Sequence, residues 1–224
     1  MEKDSLNIKN RVNPFLGYIA MFLTQDLVLN FFFKEKKIIN HNLSIPKNYS
    51  VILAPTHRSR WDGLVLTMAM GRRITKKDCS FMVTKSEMKG IQGWFLKRLG
   101  CFSINQLSPS ISALRYAVNL IVKNKLLVVF PEGKINKNGK KIPLKEGLYR
   151  LTCLATKKKE SIIILPIGIA YSEVSPRFRG KFSLCFGEPI DIKDHVDLSI
   201  KEFNKILYEK MINAEKKALN NVGR

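Results

Sequence analysis

Short apolar runs alternate with helical patterns along most of the chain. Five runs between residues 51 and 186 predict strands, and several segments between and after them repeat their apolar residues at about the 3.6-residue helical period. The predicted strands are 51–54, 80–83, 126–130, 162–170 and 182–186, and the predicted helices are 64–70, 111–122, 148–158 and 203–218. Strands that alternate with helices, without hairpin turn signals, predict an α/β fold with a mostly parallel central sheet flanked by helices.

A strongly apolar segment precedes this body. Residues 13–33 are rich in aromatic and aliphatic side chains, are interrupted by Asp26, and are followed at once by Lys34, Lys36 and Lys37. Neither apolar run on its own reaches the ~20 residues that span a bilayer, so we do not expect a spanning helix. An aromatic-rich helix that ends in lysines is typical of interfacial or shallow insertion. A helix packed on the core of its own domain fits the segment equally well.

Length and composition indicate a folded protein. The 224 residues are 45% hydrophobic, which suits one α/β domain rather than two. We therefore divide the chain into an apolar helical segment, residues 1–40, and a single domain, residues 41–224.

The net charge indicates an anionic partner. Lys and Arg number 39 against 18 Asp and Glu, a formal charge of +21. The partner could be an acidic lipid surface, a phosphorylated substrate or nucleic acid, unless the basic surface serves solubility alone. Nucleic acid is the weakest candidate, since the aromatic residues lie in apolar runs rather than among the basic ones. The four cysteines are widely spaced and the usual zinc spacings are absent, so the sequence implies no metal or cofactor.

Two loops that follow predicted strands carry candidate chemistry, because functional residues of α/β sheets gather at the carboxyl ends of strands. In the first loop, His57 could transfer a proton and Asp62 could hold its second ring nitrogen. The alternative is a loop histidine bound by local polar groups. In the second loop, Glu132 could bind a hydroxyl and Lys134 a phosphate, unless Pro131 to Gly133 form an ordinary turn.

Together the two loops resemble the glycerophospholipid acyltransferase family, and specifically the bacterial 1-acylglycerol-3-phosphate acyltransferases. The resemblance covers roughly residues 50–190 and keeps the order and separation of the family's sequence blocks. The matching stretches are Thr-His-Arg-Ser-Arg-Trp-Asp at 56–62, Lys-Ser-Glu-Met at 85–88, Val-Phe-Pro-Glu-Gly at 129–133, and an apolar block around Pro166 at 164–167.

The resemblance implies transfer of a fatty acyl group from acyl-coenzyme A or an acyl carrier protein to a lysophospholipid hydroxyl, at the cytoplasmic face of an anionic membrane. It implies His57 as the general base and Asp62 as the residue that orients it. The residues expected to bind substrate are Arg58, Arg60, Lys85, Phe130, Pro131, Glu132, Gly133, Lys134 and Pro166. Either thioester remains open as the donor.

Two positions depart from the family pattern. Arginines that such enzymes use for the acceptor phosphate are replaced by Gln106 and Ile135. Lysine binds phosphate as a point charge and not bidentately. The acceptor is therefore either 1-acylglycerol-3-phosphate, with other cations in the place of the arginines, or another lysophospholipid or a neutral lipid alcohol.

Overall fold

The computed structural model describes residues 14–40, 45–46, 48–105, 110–195 and 197–224. Its strands are β1 (Phe33–Ile39), β2 (Ser50–Pro55), β3 (Cys79–Thr84), β4 (Phe102–Ile104), β5 (Leu126–Val128), β6 (Ile162–Tyr171), β7 (Gly180–Phe186) and β8 (Ile190–Asp191). Its helices are α1 (Pro14–Met21), α2 (Leu29–Phe32), α3 (Asp62–Met70), α4 (Arg72–Thr75), α5 (Gly90–Arg98), α6 (Ile111–Val122), α7 (Gly147–Thr156) and α8 (Ile200–Val222). A π-helical segment, Phe22–Val28, joins α1 to α2, and 3₁₀ turns occupy Lys85–Met88 and Ile192–His195.

The described strands form one eight-stranded sheet in the order β1-β7-β6-β2-β5-β3-β4, with β8 beside β6. The pairs β1–β7, β2–β5, β2–β6, β3–β4 and β3–β5 are parallel, which confirms the predicted α/β class. The exceptions are β7 and β8, which pair with β6 in the antiparallel sense. The loop 172–179 that joins β6 to β7 lacks a two-residue turn signal, so the sequence did not predict this hairpin.

Two of the predicted apolar runs, those of β2 and β6, form central strands that are covered on both faces. Every residue of β2 and of β6 is buried. On β2, Ile52 and Ala54 pack against α6, α7 and α8, whereas Val51 and Leu53 belong to the cluster that includes α2 and α3. A strand buried on both faces needs a continuous apolar run, as these residues show.

The predicted C-terminal helix is longer than its apolar pattern. Ser199 and Glu202 form a capping box that begins α8, and Gly223, with a φ of +83°, ends it. The helix packs along β6 and β7. At the closest approach, a Cβ on Gly168 would lie 2.1 Å from the backbone nitrogen of Glu215. Only glycine permits this approach, which brings α8 close to the end of β2.

The N-terminal apolar residues form one continuous helix, residues 14–32, rather than two separate runs. The stretch Phe15–Phe32 is long and apolar enough to cross a membrane by length and composition, and only 11% of it is buried. Leu29 and Gln25 face the body of the protein, while Phe15 and Phe31 are each 71% exposed. The helix therefore does not form part of the core along most of its length, contrary to one of the two interpretations of the sequence.

Residues 33–39 lie in the sheet. Strand β1 pairs in parallel with β7, and the buried ring of Phe33 contacts Phe182 and Tyr171. The lysines and the glutamate of this strand prevented its prediction from the sequence, because an edge strand needs only a few inward apolar residues. This strand extends the sheet into the segment that the sequence analysis placed before the domain.

Candidate active site

The loop after β2 brings His57 and Asp62 into contact. Asp62 is the first residue of α3, and its Oδ2 atom lies 2.9 Å from Nδ1 of His57. The Asp62 side chain is completely buried, whereas 20% of the His57 side chain is exposed. The backbone amides of Arg58 and Ser59 donate to the same Oδ2 at 2.6 and 2.9 Å. Because an ionised carboxylate can only accept hydrogen bonds, Nδ1 of neutral His57 must carry the ring proton and donate it to Asp62. The free lone pair of the imidazole is then on Nε2.

A third residue, Tyr171 at the end of β6, holds the other oxygen of Asp62. Its hydroxyl donates to Oδ1 over 2.6 Å, and the tyrosine is 3% exposed. Burial and the neighbouring carboxylate hold the pKa of Tyr171 well above its usual value, so the hydroxyl stays protonated and remains a donor. Sequence reasoning missed this residue because it closes an apolar strand and resembles core.

The second predicted loop lies against the first. The ring of Phe130 stacks on the imidazole of His57, with ring centroids 4.1 Å apart and planes inclined by 27°. Glu132 is buried, and its Oε2 accepts the backbone N–H of His57 at 2.6 Å. Its Oε1 accepts from the side-chain amide of Asn136 at 2.9 Å, and the Asn136 N–H donates to the His57 carbonyl. Glu132 thus joins the two loops internally.

Arg58 completes this internal network. Its guanidinium lies 2.8 Å from both oxygens of Glu132 and also pairs with Glu215 of α8, with one N–O distance of 2.7 Å. Burial acts to lower the pKa of Arg58, but the hydrogen bonds and charges of Glu215 and Glu132 outweigh it and hold that pKa above its ordinary value. Arg58 is 5% exposed, so its charge is used inside the protein rather than at a ligand surface.

A cavity of about 960 Å³ opens beside His57. Much of its wall is apolar and comes from the N-terminal helix, from α3 and from β3. The residues that the N-terminal helix contributes are Gly17, Ala20, Met21, Thr24 and Gln25. The cationic residues that line the cavity are Arg60, Arg72, Arg98, Lys134, Lys145 and Arg150. A cavity that is mostly apolar with a few cations suits a molecule with a hydrocarbon part and an anionic part.

Four of these cations have no carboxylate partner in the described part of the chain: Arg60, Arg98, Lys134 and Lys145. The guanidinium of Arg98 instead lies over the ring of Trp94, 4.2 Å from the ring centroid. Lys145 lies across Gly133, since a Cβ at that glycine, whose φ is +69°, would come 2.9 Å from Cγ of Lys145. Sequence reasoning missed Lys145 because it stands twelve positions after Gly133 with no motif between them.

The structure divides the predicted site residues into two groups. Those that line the cavity are His57, Arg60, Phe130, Pro131, Gly133 and Lys134. Those that lie elsewhere are Asp62, Arg58, Glu132, Pro166 and Lys85. The first three of the second group form the buried network behind His57. Pro166 is buried within β6 opposite Ala54, and Lys85 is exposed on a 3₁₀ turn.

The two departures from the family pattern have different outcomes. Ile135 lines the cavity directly after Lys134. Gln106 lies outside the described residues. Among the residues described, no group of three or more His, Cys, Asp or Glu side chains is arranged so that it could hold a metal ion.

Comparisons with known proteins bear on the family to which the chain belongs. The model of the acyltransferase family matches residues 37–170. A 1-acyl-sn-glycerol-3-phosphate acyltransferase of Streptococcus pneumoniae is 29% identical over 153 residues, which are 66% of this chain and 52% of that protein. The chain thus spans about half the length of this curated relative.

A similar fold is found in the crystal structure of the 1-acyl-sn-glycerophosphate acyltransferase PlsC from Thermotoga maritima. The two structures superpose with a TM-score of 0.69 at 18% sequence identity, over 98% of this chain and 86% of the other. The family model covers more than half of the sequence and includes both loops of the candidate site. The chain therefore belongs to the acyltransferase family.

Proposed function

We propose that this protein transfers a fatty acyl group from an acyl thioester to the free hydroxyl of 1-acylglycerol-3-phosphate and so makes phosphatidate. The observation that carries the proposal is the His57–Asp62 pair at a large, mostly apolar cavity with unpaired cations. The thioester is that of coenzyme A or of an acyl carrier protein. The relative from Streptococcus pneumoniae bears the name of this activity, which supports the choice of acceptor.

In the proposed reaction, Nε2 of His57 takes the proton of the acceptor hydroxyl while that oxygen attacks the thioester carbonyl carbon. The tetrahedral intermediate then breaks its carbon–sulfur bond, and the imidazolium returns the proton to the departing thiolate. The products are an ester and a free thiol, with no acyl-enzyme. Asp62 stabilises the transient imidazolium, and Tyr171 holds Asp62 in place.

Arg60, Lys134 and Lys145 are the residues we propose for the anionic groups of the substrates. They line the cavity and have no carboxylate partner among the residues described. Glu132 and Arg58 act one layer further back, since their polar atoms bind each other and the backbone of His57. In this proposal they shape the loop and do not touch the acceptor.

One observation favours a second acceptor. Ile135 places an apolar side chain in the cavity where relatives of this family carry an arginine. An apolar side chain cannot bind a terminal phosphate. An acceptor without a phosphomonoester, such as another lysophospholipid or a neutral lipid alcohol, is therefore the alternative within the same chemistry.

Acceptor competition separates the two. Radiolabelled oleoyl and palmitoyl thioesters of both donor types are offered to lysophosphatidate and to lysophosphatidylglycerol. The proposal predicts labelled phosphatidate, and labelling of the second acceptor alone favours the alternative. Ile135→Arg should then raise the rate with lysophosphatidate. Labelling of neither acceptor would contradict the proposal and leave a neutral lipid alcohol as the acceptor of the alternative.

We also propose that the N-terminal helix attaches the protein to the cytoplasmic face of an anionic membrane. Most of its apolar side chains are exposed, and the cavity beside His57 is partly walled by the opposite side of the same helix. Replacing the exposed Phe15, Phe22 and Leu23 with serine should release the protein from phosphatidylglycerol vesicles. Unchanged sedimentation with those vesicles would contradict this attachment.

A further inference from the structure

The loop between β6 and β7, residues 172–179, exposes apolar side chains that a simple connection does not need. Phe178 is 55% exposed and Val174 is 42% exposed, although most residues of both flanking strands are buried. Single exposed apolar residues are common on protein surfaces, so their position decides their meaning.

Phe178 continues the apolar surface of the N-terminal helix. Its ring centroid lies 5.1 Å from that of Phe31 and 6.1 Å from that of Phe32. The exposed side chains of the helix, which we call the apolar face, are Phe15, Tyr18, Ile19, Phe22, Leu23, Leu27, Val28 and Phe31. The loop therefore extends the apolar face beyond the end of the helix.

The loop is held rigidly against that helix end. The backbone N–H of Arg179 donates to the carbonyl of Phe32 over 2.6 Å, and Gly180 N–H donates to Arg177 over 3.0 Å. The hydroxyl of Ser172 accepts from the N–H of Lys181 at 3.0 Å. Phe178 thus has a fixed position relative to the apolar face.

Exposed cations lie close to Phe178 in the chain and at the start of the neighbouring strand. Arg177 and Arg179 are exposed on either side of Phe178 in the chain, and Lys34 is exposed on β1 directly after Phe33, which pairs with Gly180. Glu173 is the acidic side chain of the loop. Exposed aromatic rings flanked by cations are typical of surfaces that enter the interfacial region of anionic bilayers. The formal charge of +21 adds long-range attraction to such a surface.

We propose that loop 172–179 is a second membrane contact, with Phe178 buried in the interface of an anionic bilayer beside the N-terminal helix. This inference rests on the proposed membrane attachment and extends it to a part of the chain with no apolar run in its sequence. Two contacts at fixed separation orient the protein on the bilayer. The ring of Phe32, in the N-terminal helix, stacks on that of Trp61 with centroids 4.3 Å apart, and Trp61 directly precedes Asp62. The orientation of the helix on the bilayer therefore also sets the orientation of the catalytic loop.

The test measures partitioning of the full chain onto vesicles by sedimentation. Phosphatidylglycerol–phosphatidylcholine vesicles are compared with pure phosphatidylcholine vesicles, for the wild type and for Phe178→Asp. The matched control is Ile111→Asp, because Ile111 is 69% exposed on α6, which packs on α7, β5, β4 and β2 rather than on the N-terminal helix. We expect Phe178→Asp to lower partitioning onto anionic vesicles about tenfold or more and Ile111→Asp to lower it less than about twofold.

Arg177→Glu tests the contribution of the cations beside Phe178. It should weaken binding to anionic vesicles and leave binding to neutral vesicles unchanged. If circular dichroism shows that Phe178→Asp does not fold, Val174→Asp is used as the second variant. Equal partitioning of the Phe178, Val174 and Ile111 variants, or a wild type that binds neither vesicle, overturns the proposal.

Acyl transfer to a short-chain acceptor below its micellar concentration is measured in parallel. Phe178→Asp should retain that rate and lose rate only with vesicle-embedded acceptor. Absence of transfer in the wild type would overturn the proposed function, while the sedimentation result would still decide the membrane contact.

Discussion

The hydroxyl of Tyr171 and Oδ1 of Asp62 form a buried hydrogen bond of 2.6 Å that connects β6 to the candidate catalytic histidine. The two residues stand 109 positions apart. The bond leaves Oδ2 to His57 and to two backbone amides, so the carboxylate has one fixed orientation. Tyr171 is thus a positioning residue, which acts on the reaction through Asp62.

Removal of this hydroxyl should slow acyl transfer without unfolding the protein. We expect Tyr171→Phe to lower kcat by about tenfold with KM unchanged, because a hydrogen bond to a charged group is lost away from the substrate. The control is Tyr149→Phe, which removes a hydroxyl bonded to the Leu198 carbonyl at 2.9 Å. The same kcat and KM in the two variants would refute the positioning role.

Glu215 should contribute to stability through Arg58. Glu215→Ala leaves a buried guanidinium with Glu132 as its remaining carboxylate, and we expect the free energy of unfolding to fall by about 3 kcal/mol. Glu209→Ala, on the exposed side of the same helix, should change it by less than about 0.5 kcal/mol. Urea denaturation measures both variants, and equal midpoints would contradict the account.

The close approach of α8 to β6 predicts intolerance of any side chain at residue 168. In Gly168→Ala, the new Cβ would lie 2.1 Å from the nitrogen of Glu215 and 2.3 Å from the carbonyl carbon of Ala214. Both are backbone atoms, so the helix must shift, and we expect a loss of about 2–3 kcal/mol in unfolding free energy. Gly147→Ala, whose Cβ would meet no atom within 4 Å apart from its chain neighbours and the backbone of its own helix, should be neutral or stabilising. Thermal denaturation of the pair decides between these expectations.

The four cysteines should differ in their reaction with iodoacetamide. Burial raises the pKa of the Cys79 thiol to about 12, and burial likewise raises that of Cys101 to about 12. At pH 8 only about one part in ten thousand of such thiols is thiolate, the reactive form. Burial also raises the pKa of Cys185, whereas Cys153 is partly exposed.

We therefore expect native protein to be alkylated at Cys153 at least about a hundredfold faster than at the other three cysteines. Mass spectrometry of timed digests measures this ratio, and denatured protein should react at all four. Fast labelling of Cys79 or Cys101, which line the cavity, would show that this end of the cavity opens to water.

Features of the fold that depend on long apolar runs could be predicted from the sequence. The apolar runs of β2 and β6 predicted strands, and the structure places both in the middle of the sheet with both of their faces buried. Strand β1 was not predicted, since its lysines conceal an edge strand that is recognisable only beside β7. The antiparallel pairing of β7 with β6 was missed because loop 172–179 is too long to be read as a tight hairpin turn.

The candidate site divides in the same way. His57, Phe130 and Lys134 were selected from short motifs, and the structure places them at one cavity. Tyr171 and Glu215 could not be selected, because their partners Asp62 and Arg58 lie far away in the sequence and no local pattern marks either residue. The roles proposed for all of these residues remain predictions until activity is measured.

The most direct test of the central claim is the rate of acyl transfer in His57→Ala, measured with a labelled thioester and lysophosphatidate. Folding of the variant is verified first by its thermal unfolding. If His57 is the general base, the rate falls at least about a hundredfold while the affinity for the acceptor changes little. A folded variant that retains more than about a hundredth of the wild-type rate would contradict the role of His57 and the mechanism built on it.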